Sequence, residues 1–301
     1  MGLIPLRDPD KEIILKAQYE ALKPQALAKR ITTYGKGAKR IWRRGAFIGH
    51  KLFYFKQAIR TMELAKEYVT TTSKKGQVPY SGTVFMAETL LRAKGRYTRK
   101  WFAPKGGLWF SLLIYPEVDT PYIYLYPLVA GIACCEALRE IGVKATLKWI
   151  NDLLYNGRKI GGILTETFFS PQKDPYLILG IGINLNNTLP TFLKNTAISA
   201  KEITGKEIDI DLFFCFTLLK LIWYIGLLHE AEIQKNTKGI IDIWRQYTDS
   251  LGRKAIYGED LTKEKGEEVE ILGINPYGGL ILRFSKTQEV QTVYSGELIY
   301  C

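Results

Sequence analysis

Four short segments gather the groups needed for chemistry on a charged substrate. The first is Lys94-Gly95-Arg96-Tyr97-Thr98-Arg99-Lys100-Trp101, followed by Ala103-Pro104-Lys105-Gly106-Gly107 and LWFS. Lysines, arginines and a glycine in one loop suit a phosphate or an acyl phosphate. Trp101, at the loop's exit, offers a face on which a purine can stack. A plain exposed basic loop has the same local composition. The second segment is Lys148-Trp149-Ile150-Asn151-Asp152. Lys148 ends a strand that would hold it rigidly. Its ammonium either offsets charge building on a carboxylate or α-phosphate, or simply pairs with Asp152.

The third segment, Arg158-Lys159-Ile160-Gly161-Gly162-Ile163-Leu164-Thr165-Glu166, puts two glycines inside a strand pattern. Such glycines admit a ligand or another backbone at close range, and a β-bulge is the alternative reading. The fourth is Gly180-Ile181-Gly182-Ile183-Asn184-Leu185-Asn186-Asn187. It lacks the third glycine of a dinucleotide fingerprint, and no GxxxxGK[ST] phosphate loop occurs in the chain. It reads as a buried strand with glycines, in which Asn184 can both donate to and accept from an adenine edge.

These segments need elements to position them. Residues 10–31 show helical spacing interrupted by Pro24, and 35–45 (GKGAKRIWRRG) reads as a basic linker with three glycines. From Ala46 the pattern changes. HKLFYFKQ is strand-like, RTMELAKEYVTT helical, GTVFMAE a short strand and GLWFSLLIYP a strong one. PYIYLYPLVAGIACCEALREIG reads as a long apolar helix. KATLKWI, DLLYNGRKIGGILTE and PYLILGIGINLNN read as strands, with Asn156-Gly157 as a hairpin turn. Residues 209–247 are helical with a break near Asn236, and short strands follow from Leu251 to the end. The expected architecture is α+β. A basic extension (1–45) precedes a body of mixed sheet and flanking helices (46–248), and a small β-barrel (249–301) follows.

Composition narrows the function classes. The chain has 301 residues, 47% hydrophobic and 24% charged, as in an ordinary soluble globular protein. No apolar run is read as reaching the ~20 residues of a membrane span, and the N-terminus lacks a signal-peptide core, so the expected location is cytoplasmic. Cys134, Cys135, Cys215 and Cys301 form no zinc-ligand spacing and are expected reduced and mostly buried. With only His50 and His229, a His-based metal site or a Ser-His-Asp triad has little material, and no protein-held metal is expected. The net charge is +12, and residues 1–75 hold 17 Lys and Arg against 6 Asp and Glu. Such a stretch is either a solvated basic helix or an attractor of nucleic acid or an acidic partner.

The order and spacing of the four segments resemble the biotin protein ligase family, particularly its archaeal-type members. Family members carry a GRGRxxRxW loop with SPxGG(L)WxS after it, then KWPND, a K-[IL]-x-G-[IV]-L-x-E strand and GIGxN. This chain reads AKGRYTRKWFAPKGGLWFS, KWIND, KIGGILTE and GIGINLNN. The resemblance covers roughly residues 47–301 and leaves 1–45 unexplained. It implies a class II synthetase-like catalytic fold with a C-terminal SH3-like barrel. The implied activity is ATP-dependent activation of biotin to biotinyl-AMP, then transfer to a lysine of a biotin carboxyl carrier protein. Mg2+ would accompany ATP.

The resemblance also implies roles, residue by residue. Lys148, Arg96 and Asp152 would be catalytic, with Asp152 either orienting Lys148 or helping to deprotonate the incoming lysine. Thr61, Lys94, Gly95, Arg96, Lys148 and Gly162 would bind biotin. Arg99, Trp101, Asn151, Lys159 and Asn184 would bind ATP or the adenylate. Residues 93–100 would fold over the intermediate. Docking of the carrier by strand edges, and a homodimer through the central sheet, are further implications.

The chain departs from the family pattern mostly at the biotin end. Arg60-Thr61-Met62 stands where members carry Ser-Thr-Asn, and Leu90 stands for a glutamine. Ala93 and Lys94 replace the loop's first glycine and arginine, and Ile150 replaces a proline. A ligase for lipoate or another acid, or a catalytically weak paralogue, is therefore the alternative. A nucleic-acid-binding regulator is a second. Residues 1–45 are basic enough for one but too short for a winged helix-turn-helix, so specific DNA binding is not expected.

Overall fold

A computed structural model describes residues 5–97 and 99–301. Thr98 of the basic loop and residues 1–4 lie outside the described residues. The body is one eight-stranded mixed sheet. Its strands are β1 (Leu6–Arg7), β2 (Leu52–Gln57), β3 (Val84–Ala87), β4 (Leu108–Ile114), β5 (Thr146–Lys148), β6 (Asp152–Tyr155), β7 (Arg158–Phe169) and β8 (Pro175–Ile183). They lie in the order β1-β2-β3-β4-β8-β7-β6-β5, with β2 and β3 parallel and the other neighbours antiparallel. Asn156 and Gly157 turn β6 into β7 with φ of 48° and 77°, the positive values a tight hairpin requires.

Each face of the sheet is covered differently. Leu108, Phe110, Leu112, Leu179, Ile181 and Ile183 point into the main core, against α1 (Pro9–Tyr34), α2 (Ala38–Gly45), α4 (Leu125–Glu140) and α6 (Ile210–Ile233). The other face carries α3 (Thr61–Lys74), which packs Met62, Leu64, Ala65 and Val69 against Phe55, Phe85, Ala87 and Leu113. Short α5 (Ala200–Thr204) follows β8, and α7 (Lys238–Tyr247) follows the break after α6. The all-β appendix is a five-stranded antiparallel sheet of β9 (Lys254–Gly258), β10 (Glu267–Ile274), β11 (Leu280–Phe284), β12 (Val290–Val293) and β13 (Glu297–Tyr300), ordered β12-β11-β10-β9-β13.

Three sequence expectations are corrected. Pro24 does not interrupt the first helix, which runs unbroken through it. Proline removes one N–H bond and crowds the preceding turn, but Leu15 and Tyr19 are fully buried and anchor the helix to the body. Residues 35–45 are not a linker. A turn of 3-10 helix leads into α2, whose Ala38, Trp42 and Gly45 are buried. A Cβ at Gly45 would lie 1.9 Å from the Ile222 carbonyl oxygen, and one at Gly226 would lie 2.1 Å from that of Ile41. The glycines let α2 and α6 cross in backbone contact. Finally, Thr120–Glu140 and Ile210–Ile233 are apolar and long enough to span a membrane by composition, against the expectation that no run is. Of their most apolar windows, 78% and 72% are buried inside the fold, so core packing accounts for the apolarity.

The basic N-terminal stretch is largely neutralised within the molecule. Eight of its eleven Lys and Arg up to Arg44 make ion pairs. Arg30 and Lys220 share Glu136, at 2.7 and 2.8 Å, and Arg40 and Arg44 share Glu230.

Candidate functional site

The site is a line of residues drawn across the sheet. Directly paired residues on neighbouring strands point to the same face. Following the pairs from β2 gives Phe55, Ala87, Trp109, Gly182, Gly162, Asp152 and Lys148, one residue from each of seven strands. This face also carries α3. Two glycines facing each other in the middle leave bare backbone as a floor, with an aromatic on one side and a carboxylate and an ammonium on the other.

Trp101 and Lys159 lie above this floor. A Cβ at Gly182 would meet the Trp101 Nε1 at 3.1 Å, and one at Gly162 would meet the Lys159 Cε at 3.2 Å. The Lys159 ammonium sits 5.4 Å from the Trp101 ring centroid, and Trp101 meets Trp109 edge to face. The buried Trp101 Nε1 has no hydrogen-bond partner. Such an orphan donor is costly unless a ligand supplies an acceptor. Lys159 itself is pinned by backbone bonds to Thr196 and Ile198.

Asp152 pairs with Lys159 at 2.5 Å. The carboxylate thus holds Lys159, whereas the sequence suggested Lys148 as its partner. Lys148 lies with its ammonium 5.1 Å from the Tyr300 ring centroid. Burial pushes its pKa below the usual lysine value; nearby Asp152 opposes this, while Lys159 adds to it. The cleft therefore holds a half-buried ammonium whose charged form gains from an incoming anion.

The basic loop leans on the C-terminal sheet. Arg99 grips Glu297 with two hydrogen-bonded contacts of 2.5 and 2.6 Å. Arg96 donates to the Gly296 carbonyl at 2.7 Å, and Tyr97 donates to that of Glu259. Lys94 pairs with Glu166 at 3.2 Å, and the Gly95 N–H bonds the Arg99 carbonyl. In the described structure, the cations of 94–99 are held by protein groups at the rim.

Asn151 donates to the Ile163 carbonyl at 2.8 Å, tying the β5–β6 turn to β7. Asn184 is buried, and its Oδ1 accepts from Asn187 at 3.0 Å. Thr61, at the start of α3, shares a 2.7 Å hydrogen bond with Ser111. Ser111, Glu297 and Tyr300 border the candidate site and were not assigned a role from the sequence. The alternation Trp109, Ser111, Leu113 in GLWFSLL was the available signal for Ser111. None pointed to Glu297 or Tyr300, which arrive by tertiary packing. Cys134 and Cys135 are fully buried in α4, and burial raises both thiols, Cys135 to about 12, so neither serves as a nucleophile. No group of three or more His, Cys, Asp or Glu able to hold a metal ion occurs among the described residues.

Comparison with known proteins gives consistent relatives. The model of the biotin/lipoate A/B protein ligase family matches residues 69–184. The bifunctional ligase/repressor BirA of Bacillus spizizenii is 32% identical over 267 residues, covering 83% of this chain and 74% of its own. The biotin–[acetyl-CoA-carboxylase] ligase of Paracoccus denitrificans is 28% identical, covering 66% and 82%. Of another curated relative the chain spans 50% of the length. Among solved structures, biotin protein ligase from Aquifex aeolicus in complex with biotin and ATP superposes with a TM-score of 0.67 at 30% identity, over 84% of this chain and 99% of that one.

Proposed function

This chain belongs to the biotin/lipoate A/B protein ligase family, and we infer that it activates biotin with ATP and passes it to a lysine of a biotin carboxyl carrier protein. The observation carrying this reading is the seven-strand row that sets Lys148 and Asp152 beside the glycine pair, beneath Trp101 and Lys159.

In the first step a biotin carboxylate oxygen attacks the α-phosphorus of ATP. The bond to the bridging oxygen breaks, and pyrophosphate leaves. Two anions must meet, and at ~4 Å their repulsion is about 4 kcal/mol at an effective dielectric of 20. Lys148 is the group to offset it, since charge accumulating on the reacting oxygens stabilises its ammonium. Lys159, held by Asp152, adds a second cation over Trp101. Trp101 gives the adenine an apolar face, and its free N–H seeks an acceptor. In the second step the ε-amine of the acceptor lysine attacks the acyl carbon. The anhydride C–O bond breaks, AMP leaves and the amine loses a proton. For the loop to close over the adenylate, Arg96 and Arg99 must exchange Gly296 and Glu297 for the phosphate.

Mg2+ belongs to the proposal only as a companion of the ATP phosphates. From Leu164 to Phe169 the β6 side of β7 carries no partner strand among the described residues. This open edge supports docking of the carrier, or a second copy of the chain, by strand pairing. The basic N-terminal residues, mostly paired internally, support an enzyme without operator binding. The decisive experiment measures pyrophosphate release with ATP and biotin, and the mass of a carrier domain afterwards. Release and a biotinyl mass gain are expected, and neither appearing would reject the reading.

A further inference from the structure

We propose that this site reads its acid chiefly by apolar contact, and that it transfers plain alkanoic acids such as octanoate at rates within about a thousandfold of biotin. The proposal rests on the biotin ligase reading and concerns the tail end of the same cleft.

Lys148 and Lys159 fix the carboxylate end at the glycine row. The next row on that face is Phe85, Ser111, Gly180 and Leu164. Over it lies Met62 of α3, whose Sδ stands 2.7 Å from where a Cβ of Gly180 would be. Leu90, Leu113, Ala58 and Leu164 belong to the same apolar cluster. The hydroxyls here are those of Thr61 and Ser111, both buried and bonded to each other. Two hydroxyls that pair leave one O–H to offer. The ureido ring of biotin presents two N–H groups and a carbonyl, more than this pair can match.

The physical consequence concerns rejection rather than acceptance. A pocket excludes an analogue lacking a polar group by about 10⁴–10⁵ only when that absence strands a buried partner. Here an acid without the ring strands nothing, because Thr61 and Ser111 already satisfy each other. Arg60, which precedes Thr61, is the charged exception. Its guanidinium lies 3.7 Å from Glu63 through Nη1, while its Nε is buried without a partner, and that donor would give a carbonyl-bearing tail a residual advantage. Selectivity is thereby narrowed and shifted onto one cation.

The test uses the full chain, ATP and a purified carrier domain with biotin, lipoate or octanoate supplied separately, read by mass spectrometry and initial rates. Octanoyl transfer with kcat/KM within about 10³ of biotin's is expected. Arg60→Met should narrow that ratio at least threefold, and Met62→Asn should widen it at least tenfold. A ratio beyond 10³ in the unmodified protein, with biotin transfer intact, overturns this inference and leaves the ligase reading standing. Failure to transfer biotin at all, with or without octanoyl transfer, overturns the ligase reading instead.

Discussion

The N-terminal helices and the C-terminal sheet are both attached to the body partly through ion pairs, but the pairs face different surroundings. Arg30, Lys220, Glu136 and Glu140 join α1, α4 and α6 on the face of the central sheet opposite the cleft. Arg99 and Glu297 join the basic loop to β13 at the cleft's rim, with Lys148 against Tyr300 beside them. The same chemistry serves cohesion in one place and borders the candidate site in the other. Location relative to the glycine row decides which, and charge or distance alone does not.

Four experiments sharpen or break this contrast. The largest effect belongs to the cleft itself. Lys148→Met should lower ATP–pyrophosphate exchange by about 10³-fold or more, since it removes the cation facing the developing charge, and near-normal exchange would unseat Lys148. Next is Gly182→Val. Its side chain would displace Trp101, which already stands 3.1 Å from the Cβ position. A roughly 100-fold loss of kcat/KM is expected, since ~1 Å of misplacement is enough for that.

The third compares the two ion-pair sets directly. Glu297→Gln weakens a charge-assisted bond worth about 1.5–3 kcal/mol to the loop. It should change KM for ATP about tenfold with little change in melting temperature. Arg30→Met leaves Glu136 with one cation, Lys220, and should cost about 3 kcal/mol of stability with unchanged KM. Were the two variants to behave alike in both assays, the contrast would fail.

The smallest effect is a pH slope. His229 is buried beside Tyr126, and burial, then Arg44 of α2, lowers its pKa to about 4, against a small opposing pull from Glu232. The unfolded chain therefore takes up this proton first as pH falls from about 6.5. That contribution to stability is present above about 6.5 and is lost progressively towards pH 4. Urea unfolding at pH 7 and 5.5 should show the loss, and His229→Gln should flatten it.

Much of the fold was legible where local signals and tertiary demand agree. Asn156-Gly157 specified its hairpin, and GLWFSLLIYP its strand. The 35–45 segment was misread because three glycines locally resemble a linker, whereas the role of Gly45 depends on Ile222 across the helix crossing, where Gly226 in turn meets Ile41. In the site, Lys148, Lys159, Trp101 and Gly162 were visible as motif residues, and the sheet brings them together. The partner of Asp152 was not visible, because strand neighbours offer it two lysines, Lys148 and Lys159, and only the folded geometry pairs it with Lys159. The grip of Glu297 on Arg99 spans 198 residues of sequence, and no local pattern announces it.

The two-residue strand β1 has a consequence beyond the cleft. Leu6 and Arg7 lie along the outer side of β2, and the Asp8 N–H continues the contact to the Tyr54 carbonyl. They act as a seal on a margin that would otherwise invite strands from other molecules. Trimming the chain to Pro9 is expected to bare this margin of β2 and raise self-association, read by size-exclusion chromatography, with the candidate site residues untouched.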